Sequence, residues 1–372
     1  MKVETAAVVV TLRDSPRLRR TIASLRQDLA GQDAMIVCVL NNPGDSQTRD
    51  ENGVRIVGAG MNLGWAGGMH AALVGVESEY LWCIQDDLVV PRGTHETLRG
   101  ALQADPRLGS VRPLPVGDDG LVAQGSVTST VNDAGEFSRP VPPHRVPPSE
   151  VKVSDGSFLP SSAQFVRRSA WDEVGGFDPW FYPWGFIDVD FGRSLLQAGW
   201  HFRTVPEAQV LHSAGGSTNQ PFRALLAQRQ ASLYAAKWSS KPSALVHPHI
   251  IEQVREGRVK PRHTDLDSLR HIAGICAADL VLFLMGQLPE RLAAERAPLE
   301  SHLADARYER DAALADLAFV TDQFQTAARQ RDRAAQERNE IAAHRDRMEQ
   351  SRAWRMASAF WRLRDSVLRR DP

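Results

Sequence analysis

Short unbroken apolar runs alternate with amphipathic stretches along the first third of the chain. Residues 6–12 form the first such run, the pattern of a strand covered on both faces. Asp14, Ser15 and Pro16 then supply a cap and a helix start, followed by apolar positions at Leu18, Ile22 and Leu25. Residues 34–40 and 54–57 predict two further strands, the earlier one ending in the turn Asn41-Asn42-Pro43-Gly44-Asp45. A glycine-rich segment from Gly58 to Gly68 leads into a helix through about Val76. Residues 80–84 predict a strand that ends in Gln85-Asp86-Asp87. Strand–helix alternation of this kind predicts an α/β domain with a Rossmann-like, mostly parallel sheet, flanking helices, and ligands at the carboxyl ends of its strands. The polar motifs fall at those ends.

Residues 113–150 are rich in proline and polar groups and predict a long loop. Beyond it the pattern resumes with a strand-like stretch over 158–167, a short helix after Ser169 and the Gly175-Gly176 turn. Helical spacing follows over 191–198, then two short strands over 201–205 and 209–212, then a helix over 222–238. Past about residue 287 glycine disappears and Ala, Arg, Glu, Asp and Gln dominate. Leu299, Ala306, Ala313, Val320, Ala327, Ala334, Ile341 and Met348 recur at a strict seven-residue step, the seam of a coiled coil. The companion positions begin apolar at Leu303 and turn to arginine by Arg331, so the seam weakens toward its end. A solvated helix packed on its own domain is the other reading. The spacing therefore divides the chain into a domain over 1–240, a helical connector over 241–290, a coiled coil over 291–350 and a C-terminal helix over 351–372. That last segment sets Trp354, Phe360 and Trp361 among arginines, with Asp365 the single acid over 351–370, a pattern suited either to an anionic membrane surface or to a protein partner. The apolar run 272–288 is short and carries Asp279, which places it below the roughly 20 residues needed to cross a bilayer.

Composition changes this picture little. At 42% apolar and 24% charged residues the chain reads as soluble and globular. A net charge of −1 gives no electrostatic case for nucleic acid as a partner. Cys38, Cys83 and Cys276 are too few and scattered for a disulfide framework or a zinc knuckle. The first residues lack the layout of a signal peptide, so a cytoplasmic chain is expected.

The chemistry concentrates in the acidic groups. Asp188 and Asp190 follow the Gly175-Gly176-Phe177-Asp178 run, and His212 comes 22 residues after Asp190. Asp86 and Asp87 close an apolar strand in the first half. Carboxylates with one imidazole suit a divalent metal carrying a phosphate, with one carboxylate left over as a base. Nucleotide-dependent group transfer is the chemistry this combination points to.

Six segments in order resemble the family 2 glycosyltransferases of the GT-A fold, in particular the rhamnosyltransferase-like branch. They are AAVVVTLRDSPRLRRTIASL, MIVCVLNNPGDS, RIVGAGMNLGWAGGMH, CIQDDLVVP, EVGGFDPWFYPWGFIDVDFGRSLLQAGW and VLHSAGGS, spread over roughly residues 4–240. The resemblance implies that Thr11 and Arg13 edge the nucleotide, and that Asn41 stands where the family usually has an Asp at the base. It implies that Asn62, Gly64, Gly67 and Gly68 form a donor-side loop whose backbone can approach phosphates. Gln85-Asp86-Asp87 takes the place of the family's Asp-x-Asp. Asp87 and His212 are then the implied ligands of Mg²⁺ or Mn²⁺, with Gln85 and Asp86 on the donor. Gln85 departs from the usual first acid. Asp188 matches the acid given the base role, while Ile187 replaces that acid's usual neighbour. Asp190 and Trp184 are placed on the acceptor side, Trp184 as a platform for a sugar face.

By the resemblance the chain is an inverting, metal-dependent transferase that takes a nucleotide-diphospho-sugar, dTDP-rhamnose first, to a polysaccharide or polyprenyl-linked glycan. UDP-galactofuranose and UDP-glucose remain open as donors. Homo-oligomerisation through the coiled coil and contact of the C-terminal helix with the inner face of the plasma membrane complete the expectation. An inactive GT-A scaffold that gathers partners is the alternative, favoured by Gln85 and Ile187 and opposed by the presence together of Asp87, Asp188 and His212. A nucleotidyltransferase fits less well, because residues 11–20 lack the glycines of its nucleotide loop.

Overall fold

The computed structural model describes residues 2–123, 130–132, 135–138, 145–152, 158–212, 220–239, 242–257 and 265–301. It divides into two compact units, Met1–Cys276 and Ala277–Pro372. The heptad seam beyond residue 301, the basic segment 351–372 and the Gly215-Gly216 motif lie outside the described residues.

The first unit is built on one nine-stranded sheet. Its strands in chain order are β1 (Lys2–Thr11), β2 (Ala34–Leu40), β3 (Thr48–Glu51), β4 (Val54–Gly58), β5 (Glu77–Gln85), β6 (Leu88–Val89), β7 (Leu108–Val116), then β12 (Phe165–Arg167) and β13 (His201–His212). Between the last two groups, β8 (Val122–Ala123) pairs with β11 (Arg145–Val146), and β9 (Thr130–Val131) with β10 (Phe137–Ser138), as two small antiparallel ribbons. The spatial order of the sheet is β3-β4-β2-β1-β5-β12-β7-β13-β6. Pairings β4–β2–β1–β5 and β7–β13 are parallel; β3, β12 and β6 run against their neighbours. The expected α/β class and mostly parallel sheet are what the chain adopts.

The helices are α1 (Pro16–Asp28), α2 (Gly64–Ala72), α3 (Thr94–Ala104), α4 (Arg168–Val174), α5 (Ile187–Gln197), α6 (Gln220–Trp238), α7 (Pro248–Gly257) and α8 (Leu266–Ser301). Local sequence explains several of them. Ser15 caps α1, its Oγ accepting from Leu18 N at 3.1 Å, with Pro16 opening the helix. Ala6 to Val9 at the sheet's centre are fully buried, as continuous apolar strands require. On one side of the sheet Tyr80, Trp82 and Phe165 stack among His95, Leu98 and Leu102.

Three elements differ from the sequence reading. Residues 201–212 form one strand, not two, with a register shift between Val205 and Gln209 where Pro206 cannot join the ladder. Only Phe165–Arg167 of the stretch 158–167 is a strand. It runs antiparallel between β5 and β7, which no periodicity announces. The third concerns the apolar run near residue 272. Helix starts at Leu266, so the segment Leu266–Gly286 reaches 21 residues with mean hydropathy 1.6 and is long and apolar enough to cross a membrane by length and composition. Its Leu269, Ile272, Ala273 and Cys276 are nevertheless buried within the first unit, the ordinary use of such a face in a folded core.

Candidate active site

The site is assembled at the carboxyl ends of neighbouring strands. Because β1 lies between β2 and β5, the residues that leave those three strands must meet. Val10 is in register with Gln85, and the next step along brings Thr11 beside Asp86. Thr11 Oγ donates to Asp86 Oδ2 at 2.6 Å. Burial pushes the Asp86 carboxyl up, and the Thr11 bond works against that rise. Asp86 is therefore held inward by the end of β1, and Arg13 is exposed at the rim.

Asp87 points the other way. Leu88 is in register with His212 where β6 meets β13, and His212 Nε2 lies 3.6 Å from Asp87 Oδ2. Asp87 Oδ1 is buried and has no hydrogen-bond partner among the described residues. An orphaned carboxylate oxygen beside an imidazole is a costly arrangement unless something cationic completes it. The donor set fits Mg²⁺ or Mn²⁺ in part. Among the described residues no group of three or more His, Cys, Asp or Glu is close enough to hold a metal, and Asp87 and His212 are the two that could contribute to one here.

Asn41 leaves β2 almost fully buried, 3% exposed. Its Nδ2 donates to Asn62 Oδ1 and to the Gly64 carbonyl, each at 3.0 Å, and its Oδ1 accepts from Leu63 N at 2.7 Å. Asn62 Oδ1 also accepts from Gly64 N at 2.9 Å. Both amides are thus engaged in the loop that starts α2. The glycines of that loop have packing roles. A Cβ on Gly68 would come within 2.6 Å of Val10, so α2 packs closely on β1 there because the residue is glycine, and one on Gly67 would come within 2.9 Å of Leu63 at the start of the helix. Gly64, at φ +72°, would meet the Pro183 carbonyl at 2.9 Å.

The residues expected on the acceptor side come from residues 158–257. Helix α5 begins at Ile187, earlier than its apolar spacing predicts, so Asp188 stands in the first turn, where the helix dipole favours a carboxylate. Gly185 (φ +95°) and Phe186 (φ +60°) make the turn into it. Ser161 N donates to Asp188 Oδ2 at 3.3 Å, and Val189 N to Oδ1 at 3.0 Å. Burial raises the Asp188 carboxyl above its ordinary range, while those backbone bonds and the charge of Arg112 oppose the rise. Arg112 is buried in β7, with Nε donating to Thr204 Oγ at 3.2 Å, and desolvation pushes it down to about 10.

Asp190 is not brought to the same place as Asp188. Two residues on along a helix turns a side chain by about 200°, to the opposite face. There Lys237 Nζ bonds Asp190 Oδ2 at 2.7 Å and Asp178 Oδ2 at 2.8 Å, and Trp238 Nε1 bonds Asp190 Oδ1 at 2.8 Å. Burial works against the Lys237 charge, but the two carboxylates outweigh it and the ammonium is held above its ordinary value. This cluster lines a cavity of about 320 Å³ together with Trp180, Ser194 and Gln253. Trp184 is half-buried and its carbonyl accepts from Gln230 Nε2 at 3.1 Å.

Arg112, Gln230, Lys237 and Trp238 went unmarked in the sequence. Arg112, alone in an otherwise apolar strand, carried a readable signal. Lys237 in a helix of mixed residues carried none.

No protein-family model matches the chain. An N-acetylglucosaminyl-diphospho-decaprenol L-rhamnosyltransferase of Mycobacterium tuberculosis is 27% identical over 308 residues, covering 71% of this chain and 98% of the relative. A pre-mycofactocin glycosyltransferase of the same organism is 30% identical over 153 residues, covering 40% of this chain and 30% of that protein. Both of these relatives, to which the chain is similar, are named as glycosyltransferases. Among solved structures, a crystal structure of GalNAc-T7 with UDP, GalNAc and Mn²⁺ is similar to the chain with a TM-score of 0.49 and 14% identity, covering 69% of this chain and 54% of that one, so the chain spans about half of that protein's length.

Proposed function

We propose that this transferase moves rhamnose from dTDP-rhamnose, with inversion and with a divalent metal, to a polyprenyl-diphosphate-linked glycan. The observation that carries this reading is the pairing of Asp87 and His212 at the strand ends, with a buried Asp87 oxygen left unpartnered. The near full-length relative named for a decaprenol-linked acceptor supports the acceptor class.

In this reading Asp87 and His212 hold Mg²⁺ or Mn²⁺, which when bound neutralises charge on the departing nucleoside diphosphate. Thr11 keeps Asp86 inward, so that Asp87 alone faces the diphosphate. Gln85 reaches a ribose hydroxyl, and Arg13 at the rim meets donor phosphate. Asp188 takes the proton of the acceptor hydroxyl as that oxygen bonds to the anomeric carbon and the bond to the diphosphate oxygen breaks. Burial raises its pKa and so makes it a stronger base, while the charge of Arg112 opposes that rise. Trp184 supplies a flat face for the acceptor sugar. Residues 1–240 form the transferase domain, 241–290 the connector, 291–350 a coiled coil joining copies, and 351–372 a basic helix at the inner membrane surface.

The test is a thermal shift with dTDP-rhamnose, UDP-galactofuranose, UDP-glucose and GDP-mannose, with and without Mn²⁺, on the wild type and Asp87→Ala. Stabilisation by dTDP-rhamnose that needs Mn²⁺ and disappears in Asp87→Ala is the expected result. Stabilisation by another donor alone would replace the sugar, and none by any donor would remove the reading.

A further inference from the structure

The amide of Asn41 has a polarity fixed by backbone on both sides. Leu63 N–H donates to its Oδ1, so that atom must accept, and the Gly64 carbonyl faces its Nδ2, so that atom must donate. Asn62 is fixed in the same way, because its Oδ1 accepts from Gly64 N as well as from Asn41 Nδ2. Both side chains are buried, and every one of those Asn41 bonds is made within the loop itself. From Gly64 the connection continues. Trp65 N donates to the Pro183 carbonyl at 2.8 Å, and a side chain at Gly64 would strike Pro183 and Tyr182. Gln230 Nε2 then ties the carbonyls of Tyr182 and Trp184 from α6. The end of β2 is thereby braced against the segment that carries Trp184 and leads into Asp188.

We propose that Asn41 is a positioning residue that sets the donor-side loop and, through Gly64 and Pro183, the acceptor-side segment, and that it must be an amide because it has to donate to the Gly64 carbonyl. This rests on the glycosyl-transfer reading above. A carboxylate here would turn an oxygen against two acceptors, Asn62 Oδ1 and the Gly64 carbonyl, and each repulsion replaces a hydrogen bond. The usual acid of the resembling family is thus excluded at this position by the loop it supports. Asn62 behaves oppositely. Only its accepting oxygen is used, and it lies just before α2, where negative charge is favourable. The two asparagines therefore differ in sign: Asn41→Asp harms and Asn62→Asp does not.

The experiment uses the full chain with both variants. Melting temperature is read first without ligand, then with dTDP, UDP and GDP in Mn²⁺, followed by KM for dTDP-rhamnose and for a polyprenyl-diphosphate-linked N-acetylglucosamine acceptor. Expected for Asn41→Asp is a lower melting temperature, about tenfold or greater loss of nucleotide affinity, and a rise in both KM values, because both faces of the site shift. Asn62→Asp melts at or above the wild-type temperature, because only its accepting oxygen is used. A side chain that reads the base would raise the donor KM alone. That outcome, unchanged or tighter nucleotide binding in Asn41→Asp, or equal losses in the two variants would each overturn the proposal. Should Asn41→Asp fail to fold, Asn62→Asp still decides, since a lower melting temperature in that variant contradicts the polarity argument. A wild type that binds no nucleotide removes the transfer reading but leaves the opposite melting shifts of the two variants to be measured.

Discussion

The strand-end half of the site and the loop-and-helix half are held by different physics. Thr11, Asn41 and Gln85 stand where parallel strands terminate, so sheet register alone brings them together. Asp188 and Trp184 depend on a turn through Gly185 and Phe186 and on long-range bonds from Ser161 and Gln230. Behind that turn lies a buried ion cluster of Asp178, Asp190 and Lys237. The difference teaches that the strand-end half inherits its geometry from the fold, while the loop-and-helix half is maintained by individual side chains whose loss should be felt singly.

The largest effect sought is on rate. Asp188→Asn should lower kcat by about 10² to 10⁴ while leaving donor affinity nearly unchanged, checked by steady-state kinetics. It should also raise the melting temperature at pH 7. Burial favours the neutral carboxyl, so ionised Asp188 weakens the fold above its ordinary pKa of 3.8. The gain should vanish as the pH falls toward 4, where the wild type is protonated too. A melting temperature that drops at pH 7 would break the account of this side as strained by function.

Lys237→Met comes next. It leaves two buried carboxylates uncompensated and should cost about 3–5 kcal/mol in denaturant unfolding. Transfer should suffer more than nucleotide binding. Equal loss of both would show that the two halves stand or fall as one, and would end the comparison. The smallest effect belongs to Ser15→Ala, which removes the α1 cap and should cost about 1 kcal/mol with no change in KM for either substrate.

What could be read from the sequence follows the same division. Strands β1, β2, β4 and β5, the Ser15-Pro16 helix start and the strand-end placement of Asn41 and Asp86 were legible, because buried parallel strands and caps leave local patterns. The engagement of Asn41 and Asn62 with each other was not, since a turn residue and a ligand-binding residue have the same letter. Nor was the partnership of Asp190 with Lys237, which lies 47 residues away and depends on how α5 and α6 cross. The packing role of Gly67 and Gly68 was hidden for a similar reason: a glycine that permits close approach says nothing about whether a phosphate or Val10 approaches it.

Strand β12, three residues long, lies between β5 and β7 although more than forty residues separate it from either in the chain. Its Phe165 bonds into the ladder opposite both Trp82 and Val111. A fragment ending anywhere in the loop before it would keep every strand of the strand-end half yet present two facing, unfilled edges in mid-sheet. That half therefore has no existence as a detachable module. Any attempt to excise it, graft it onto another scaffold or split the enzyme into a reporter pair must carry residues 165–167 with the first piece or supply them in trans.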